Sequence, residues 1–193
     1  QNETSKASIS INKEPQTKKA MELLKKLEES KLDHPKLDKL HEIIKTELGK
    51  NVNTKIIIFA NFRDTVKNIV REIEKIGSAS PVELIGQKEG VTQKKQLETL
   101  KEFEEGRYNI IVGTSITEEG LDIKGGLSIA IFFDQAPSGI RRIQRTGRVG
   151  RLKTGKIIHL VTKNTRDQAY YWKSQKDETK MKNIVSGMQN NLI

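Results

Sequence analysis

Residues 55–60 read Lys-Ile-Ile-Ile-Phe-Ala, and the fold turns on how they are read. The run is continuous, not alternating, and it is rich in β-branched side chains, which suit a pleated, packed surface. Such a run marks a strand buried on both faces, as in parallel sheets covered by helices. Working outward, apolar runs recur at 81–85, 108–112, 127–133 (Leu-Ser-Ile-Ala-Ile-Phe-Phe) and 156–161. Helical patterns lie between them: 62–76, stopped by Gly77, and 92–105, with Leu97, Leu100 and Phe103 turned inward and Gly106 ending it. A short helix is expected over 138–146 and a last one over 167–181. Alternating strands and helices predict an α/β domain with a mainly parallel sheet and helices on both faces. In such sheets ligands gather beyond the carboxyl ends of the strands. The residues that follow each strand are therefore where chemistry is to be sought.

Upstream the texture differs. Residues 1–16 form a polar lead ending near Pro15. Over 17–30, Ala20, Leu23, Leu24 and Leu27 fall at helical spacing and make one apolar stripe. A second helix begins at Pro35, a residue favoured in a first turn, carries Leu37, Leu40, Ile43, Ile44 and Leu48, and stops at Gly49. The expected division is a flexible lead and helical connector over 1–34, the main domain over 35–182, and a loose tail over 183–193. The chain begins with Gln1 and is expected to be a piece of a longer one.

The 193 residues carry a formal net charge of +10. Lysine and arginine in excess displace counterions from a nucleic-acid backbone, so phosphate is an expected partner, although a merely soluble basic protein has the same balance. There are no cysteines, which excludes disulfides and Cys-ligated zinc. His34, His41 and His159 show no ligand spacing, and no metal site is expected. No apolar run approaches the roughly 20 residues of a membrane span, and no signal peptide is evident. A monomeric, cytoplasmic protein is expected, associated with the nucleoid if it acts on DNA.

The strongest local signal is Gln144-Arg145-Thr146-Gly147-Arg148-Val149-Gly150-Arg151. Five of the nine arginines fall within residues 141–151, in a chain where lysine is nearly three times as common. Arginine offers a planar, permanently charged fork that binds phosphate oxygens bidentately. Gly147 and Gly150 would break a helix and bring the backbone close to a ligand. A bland alternative is an arginine-rich helix end pairing with surface acids. The second signal is residues 110–123, Ile-Ile-Val-Gly-Thr-Ser-Ile-Thr-Glu-Glu-Gly-Leu-Asp-Ile. Here a buried strand is expected to end at Val112, and a hydroxyl-bearing loop to follow. The third is Lys55–Arg63, a buried strand whose following loop carries Arg63. That arginine could equally be a surface residue at a helix start. Tyr170-Tyr171-Trp172 could stack on bases, but packing the last helix onto the sheet is the better reading.

These segments resemble, in order, motifs VI, V and IV of superfamily 2 helicases, and the resemblance covers roughly residues 55–161. It implies a RecA-like three-layer α/β domain, the second motor domain of an ATP-dependent helicase. Arg148 and Arg151 would be arginine fingers that stabilise charge on the transferred phosphoryl group, with Gln144 beside the same phosphate. Gly120 and Asp122 would face ATP. Thr114 and Ser115 would contact nucleic-acid phosphate, as would Arg63 and the backbone around Asn61. Gly86 and Gln87, followed by a helix start at Thr92-Gln93, resemble a segment that approaches the sugar-phosphate chain. Lys88 would add charge there or be merely solvated.

Asp33-His34-Pro35-Lys36-Leu37, the Ser115–Ile123 form of motif V and Thr165–Trp172 narrow the resemblance to the archaeal Hef and eukaryotic FANCM branch, which remodels forked and branched DNA. The helix over 17–30 would be the tail of that branch's helical insertion. The related RIG-I-like and Dicer helicases act on double-stranded RNA, so DNA is favoured as partner and RNA stays open. One departure matters: the chain holds no Gly-x-x-x-x-Gly-Lys-[Ser/Thr] phosphate loop, and Asp177-Glu178 does not follow a buried strand. ATP and magnesium would therefore be held mainly by an N-terminal motor domain of the same longer chain. This piece alone would not hydrolyse ATP. A pure nucleic-acid-binding module is the rival from another class. The missing phosphate loop argues against an independent nucleotide-binding enzyme.

Overall fold

The computed structural model describes residues 11, 13–29, 34–85, 92–114, 127–135 and 155–190. The chain divides into two compact units, residues 1–35 and 36–193. The first holds helix α1 (Pro15–Glu29), whose apolar stripe at Leu23, Leu24 and Leu27 is more than half exposed.

The second unit is built on a five-stranded, wholly parallel sheet: β1 (Ile56–Ala60), β2 (Pro81–Leu84), β3 (Ile110–Thr114), β4 (Ile129–Phe132) and β5 (Lys156–His159), in spatial order β2-β3-β1-β4-β5. Its helices are α2 (Pro35–Lys50), α3 (Arg63–Ile73), α4 (Gln93–Glu104) and α5 (Arg166–Asn190). The continuous apolar run at 56–60 has the expected cause. β1 is the central strand, and all five of its residues are buried. Ile56, Ile58 and Ala60 face one core with Leu40, Ile44 and Leu48 of α2 and Val66, Ile69 and Ile73 of α3. Ile57 and Phe59 face the other, with Phe103 of α4 and Phe132 of β4. Period-two alternation thus feeds two cores, and the result is the expected three-layer α/β arrangement. The edge strands β2 and β5 are only partly covered, and their runs are correspondingly more polar.

Several boundaries differ from the reading of the sequence. β3 runs to Thr114 and does not stop at Val112, because Gly113 and Thr114 continue the ladder opposite Phe59 and Ala60. Leu97 is 59% exposed, whereas Phe103 is fully buried. Three-residue steps drift by about 60° each on a helix of 3.6 residues per turn, so Leu97 and Phe103 lie about 120° apart and cannot share one face. Gly49 lies inside α2, which ends one residue later at Lys50. Gly106 does end α4: its φ is +86°, and Arg107 N–H reaches back to Glu102 O at 2.9 Å. The last helix extends beyond Met181 to Asn190. Its start is capped by two side chains. Thr165 Oγ1 accepts from Asp167 N, and the Gln168 side chain accepts from Asn164 N at 2.8 Å. Among the described residues no helix is long and apolar enough to cross a membrane.

Candidate nucleic-acid interface

Parallel strands deliver their carboxyl ends to one edge, and the described contact candidates Asn61, Arg63 and Thr114 all lie there. Ala60 and Thr114 are register partners at the ends of β1 and β3. Thr114 is 5% exposed and is the last residue of its strand. Arg63 stands three residues past Ala60, half-buried, at the first position of α3. The N-cap residue of α3 is Phe62, whose side chain makes no cap hydrogen bond. The first turn of α3 carries both Arg63 and the exposed Asp64, so what it offers an anion is its amide donors and the Arg63 guanidinium, beside one carboxylate. The α4 start is different: Thr92 Oγ1 accepts from Lys95 N at 3.3 Å and caps it.

The loop between β1 and α3 is fixed by the end of β4. Asp134 Oδ2 accepts from Asn61 N at 2.8 Å, and Asn61 Nδ2 donates to Gln135 O at 3.3 Å. Gln135 is itself buried. Its Nε2 donates to Leu160 O at 2.9 Å, and its Oε1 lies 3.3 Å from His159 Nδ1. The three central and outer strands β1, β4 and β5 are thus tied together at the edge where ligands would arrive. Stacked rings continue the tie beneath: Phe59 on Phe132 at 5.1 Å and Phe132 on His159 at 4.7 Å, with Tyr171 edge-on to His159 at 5.7 Å. Tyr171 therefore packs α5 on the sheet, as read from the sequence, while Trp172 is 57% exposed.

Lys36 anchors the same corner from the other side. Its ammonium donates to Phe133 O at 2.6 Å and pairs with Asp167 Oδ2 at 2.5 Å, and it lies 5.3 Å from the Phe133 ring centre. Asp167 also accepts from Thr162 N at 3.0 Å. Lys36 and Asp167 each belong to a stretch that carried the narrower resemblance, and the fold joins them. Neither they nor Asp134, Gln135 and Phe62 were singled out as functional from sequence. The signal for Asp134 and Gln135 was their place directly after the long apolar run at 127–133.

Gly86, Gln87, Ser115, Gly120, Asp122, Gln144, Arg148 and Arg151 lie outside the described residues, as does the expected helix over 138–146. Among the described residues no group of three or more His, Cys, Asp or Glu side chains could hold a metal ion.

A family model for the helicase conserved C-terminal domain matches residues 35–153. The crystal structure of the Pyrococcus furiosus Hef helicase domain superposes with a TM-score of 0.69 at 45% identity, covering 89% of this chain and 35% of that one. A Methanocaldococcus jannaschii protein bearing the name of an ATP-dependent RNA helicase is 38% identical over 187 residues, which are 95% of this chain and 23% of that protein. The Fanconi anemia group M protein of Gallus gallus is 37% identical over 174 residues, 80% of this chain and 8% of that protein. The chain therefore spans a minor part of the relatives it matches. On this match and on the parallel sheet described above, the chain belongs to the helicase conserved C-terminal domain family, within the Hef and FANCM branch of superfamily 2.

Proposed function

We propose that this chain is the second motor domain of an ATP-dependent helicase or translocase that works on forked or branched DNA. The observation that carries the reading is the edge itself. Arg63 and Thr114 follow neighbouring parallel strands, paired at Ala60 and Thr114, in a domain of a helicase family. Backbone phosphates of a strand laid across that edge would meet the guanidinium of Arg63, the α3 amides and the Thr114 end of β3, with Ser115, Gly86 and Gln87 extending the track. Such contacts position a strand without reading its sequence. Arg148 and Arg151 would reach a nucleotide held by a first motor domain and stabilise charge on the transferred phosphoryl group, with Gln144, Gly120 and Asp122 around the same nucleotide. Closure on ATP would shift Arg63 and Thr114 relative to the contacts of the first domain, so that the pair steps along the strand. Magnesium and the phosphate loop belong to that first domain in this proposal, and the protein would work where DNA lies, at the nucleoid of the cytoplasm.

DNA is favoured because similar proteins carry the names of DNA helicases, among them those of Neurospora crassa and Schizosaccharomyces pombe. The M. jannaschii relative, named as an RNA helicase, supports the second reading. ATPase assays of the full-length protein with forked DNA, double-stranded RNA or no nucleic acid decide between them. Stimulation by forked DNA is expected. Stimulation by RNA alone moves the motor to RNA, and no turnover under any condition leaves only a binding module.

A further inference from the structure

Beside the edge lies a cleft of about 430 Å³ between the β1–α3 loop, the end of β4 and the start of α5. Much of its polar lining is engaged within the protein. Asp134 holds Asn61 N, Gln135 bridges to β5, and Asp167 is paired with Lys36. The two carboxylates are thus bonded or neutralised, and the wall they form is fixed before any ligand arrives. Beside the Asp134 carboxylate, the cleft presents aromatic rings and the Arg166 guanidinium. Phe62 is 69% exposed, although a phenylalanine gains from burial. Tyr170 is half-buried and carries the Arg166 guanidinium, 5.5 Å from its ring centre and bonded to its hydroxyl at 2.7 Å. Flat faces beside a guanidinium suit a flat π-system linked to an anion. Arg63 follows Phe62 directly, so a base on the Phe62 ring would leave its own phosphate near Arg63.

We infer that this cleft is a stacking site for an unpaired nucleobase of the bound strand, with Phe62 as platform and the Arg166–Tyr170 pair as its far wall. The inference rests on the reading of the edge as a nucleic-acid track, and it adds what backbone contacts lack: a preference for unpaired over paired strand. Base–aromatic stacking is sequence-tolerant, so the site would sense strand separation and not sequence.

The test uses the full-length protein, a fork with 2-aminopurine in its single-stranded arm, and a blunt duplex of equal length. Phe62→Ala should weaken fork binding by about five- to a hundredfold, the range of one lost stacking contact. It should abolish the change in 2-aminopurine fluorescence and leave duplex affinity and Tm unaltered, and Phe62→Trp should restore fork binding. Unchanged fork binding, or equal loss on fork and duplex, overturns the site. A raised KM for ATP with fork binding intact assigns the base to the nucleotide and overturns it too. Arg63→Ala, run in parallel, should weaken both substrates; if it weakens neither, the track reading itself has failed, whatever Phe62 does.

Discussion

Replacing Asp167 by alanine should cost this domain about 3 kcal/mol, more than replacing its partner Lys36 by methionine. The two side chains are 9% and 18% exposed and meet at 2.5 Å. Breaking a buried pair by removing one partner costs about 3–5 kcal/mol, because the other charge stays away from water. In Asp167→Ala the stranded group is the more deeply buried ammonium. It keeps its bond to Phe133 O, which places the cost at the lower end of the range. In Lys36→Met the stem is replaced by a similar apolar chain. The carboxylate left behind is the more exposed partner and retains Thr162 N–H, so about 2 kcal/mol is expected. Urea unfolding at pH 7, followed by the midpoint at constant m, measures both. Against a total stability of about 5–15 kcal/mol, either loss is readily seen. A cost below about 1 kcal/mol for Asp167→Ala, or a larger cost for Lys36→Met, would refute the burial argument.

Ile58, fully buried at the middle of β1 between Val112 and Ile131, should lose about 3 kcal/mol on truncation to alanine, whereas Leu97→Ala, at a site 59% exposed, should stay within about 0.5 kcal/mol; the same unfolding curves compare them, and equal costs would contradict the assignment of faces on α4. The Glu47 carboxyl is held below its ordinary value, first by the hydrogen bond from Lys156 at 2.9 Å and then by that from Lys50. Because its folded pKa is depressed, the stabilisation is present above the ordinary value of 4.5 and is lost as pH falls through the lower folded value. Glu47→Gln should therefore cost about 0.5 kcal/mol at pH 7, since Lys156 is half exposed, with the difference closing below that range. A gap that does not change with pH would remove the ion pair from the account.

The strands were legible because burial on both faces leaves a mark that needs no partner to be seen: a run such as Ile56–Ala60 has no polar phase. The order of the strands left no such mark. It decides that Ala60 pairs with Thr114 and that β3 outlasts Val112, and it arises from how the crossovers pack. Leu97 was misread because a spacing of three was extended over two steps, where the drift of the helix turns the side chain off the core. The contacts that shape the site, Asp134 with Asn61 and Lys36 with Asp167, join residues far apart in the chain. Each member alone looks like an ordinary polar residue beside a strand or helix end. Glycines and arginines grouped at 144–151 stand out for the opposite reason, since their chemistry is concentrated in one short stretch.

The measurement that bears most directly on the account is ATP turnover by the full-length protein with Arg148→Ala beside the wild type, with nucleic-acid binding measured on the same preparations. If this domain supplies an arginine finger, the variant loses turnover by a factor of about a thousand or more while binding is largely kept. Turnover that survives Arg148→Ala would contradict the finger assignment and, with it, the motor mechanism built on it.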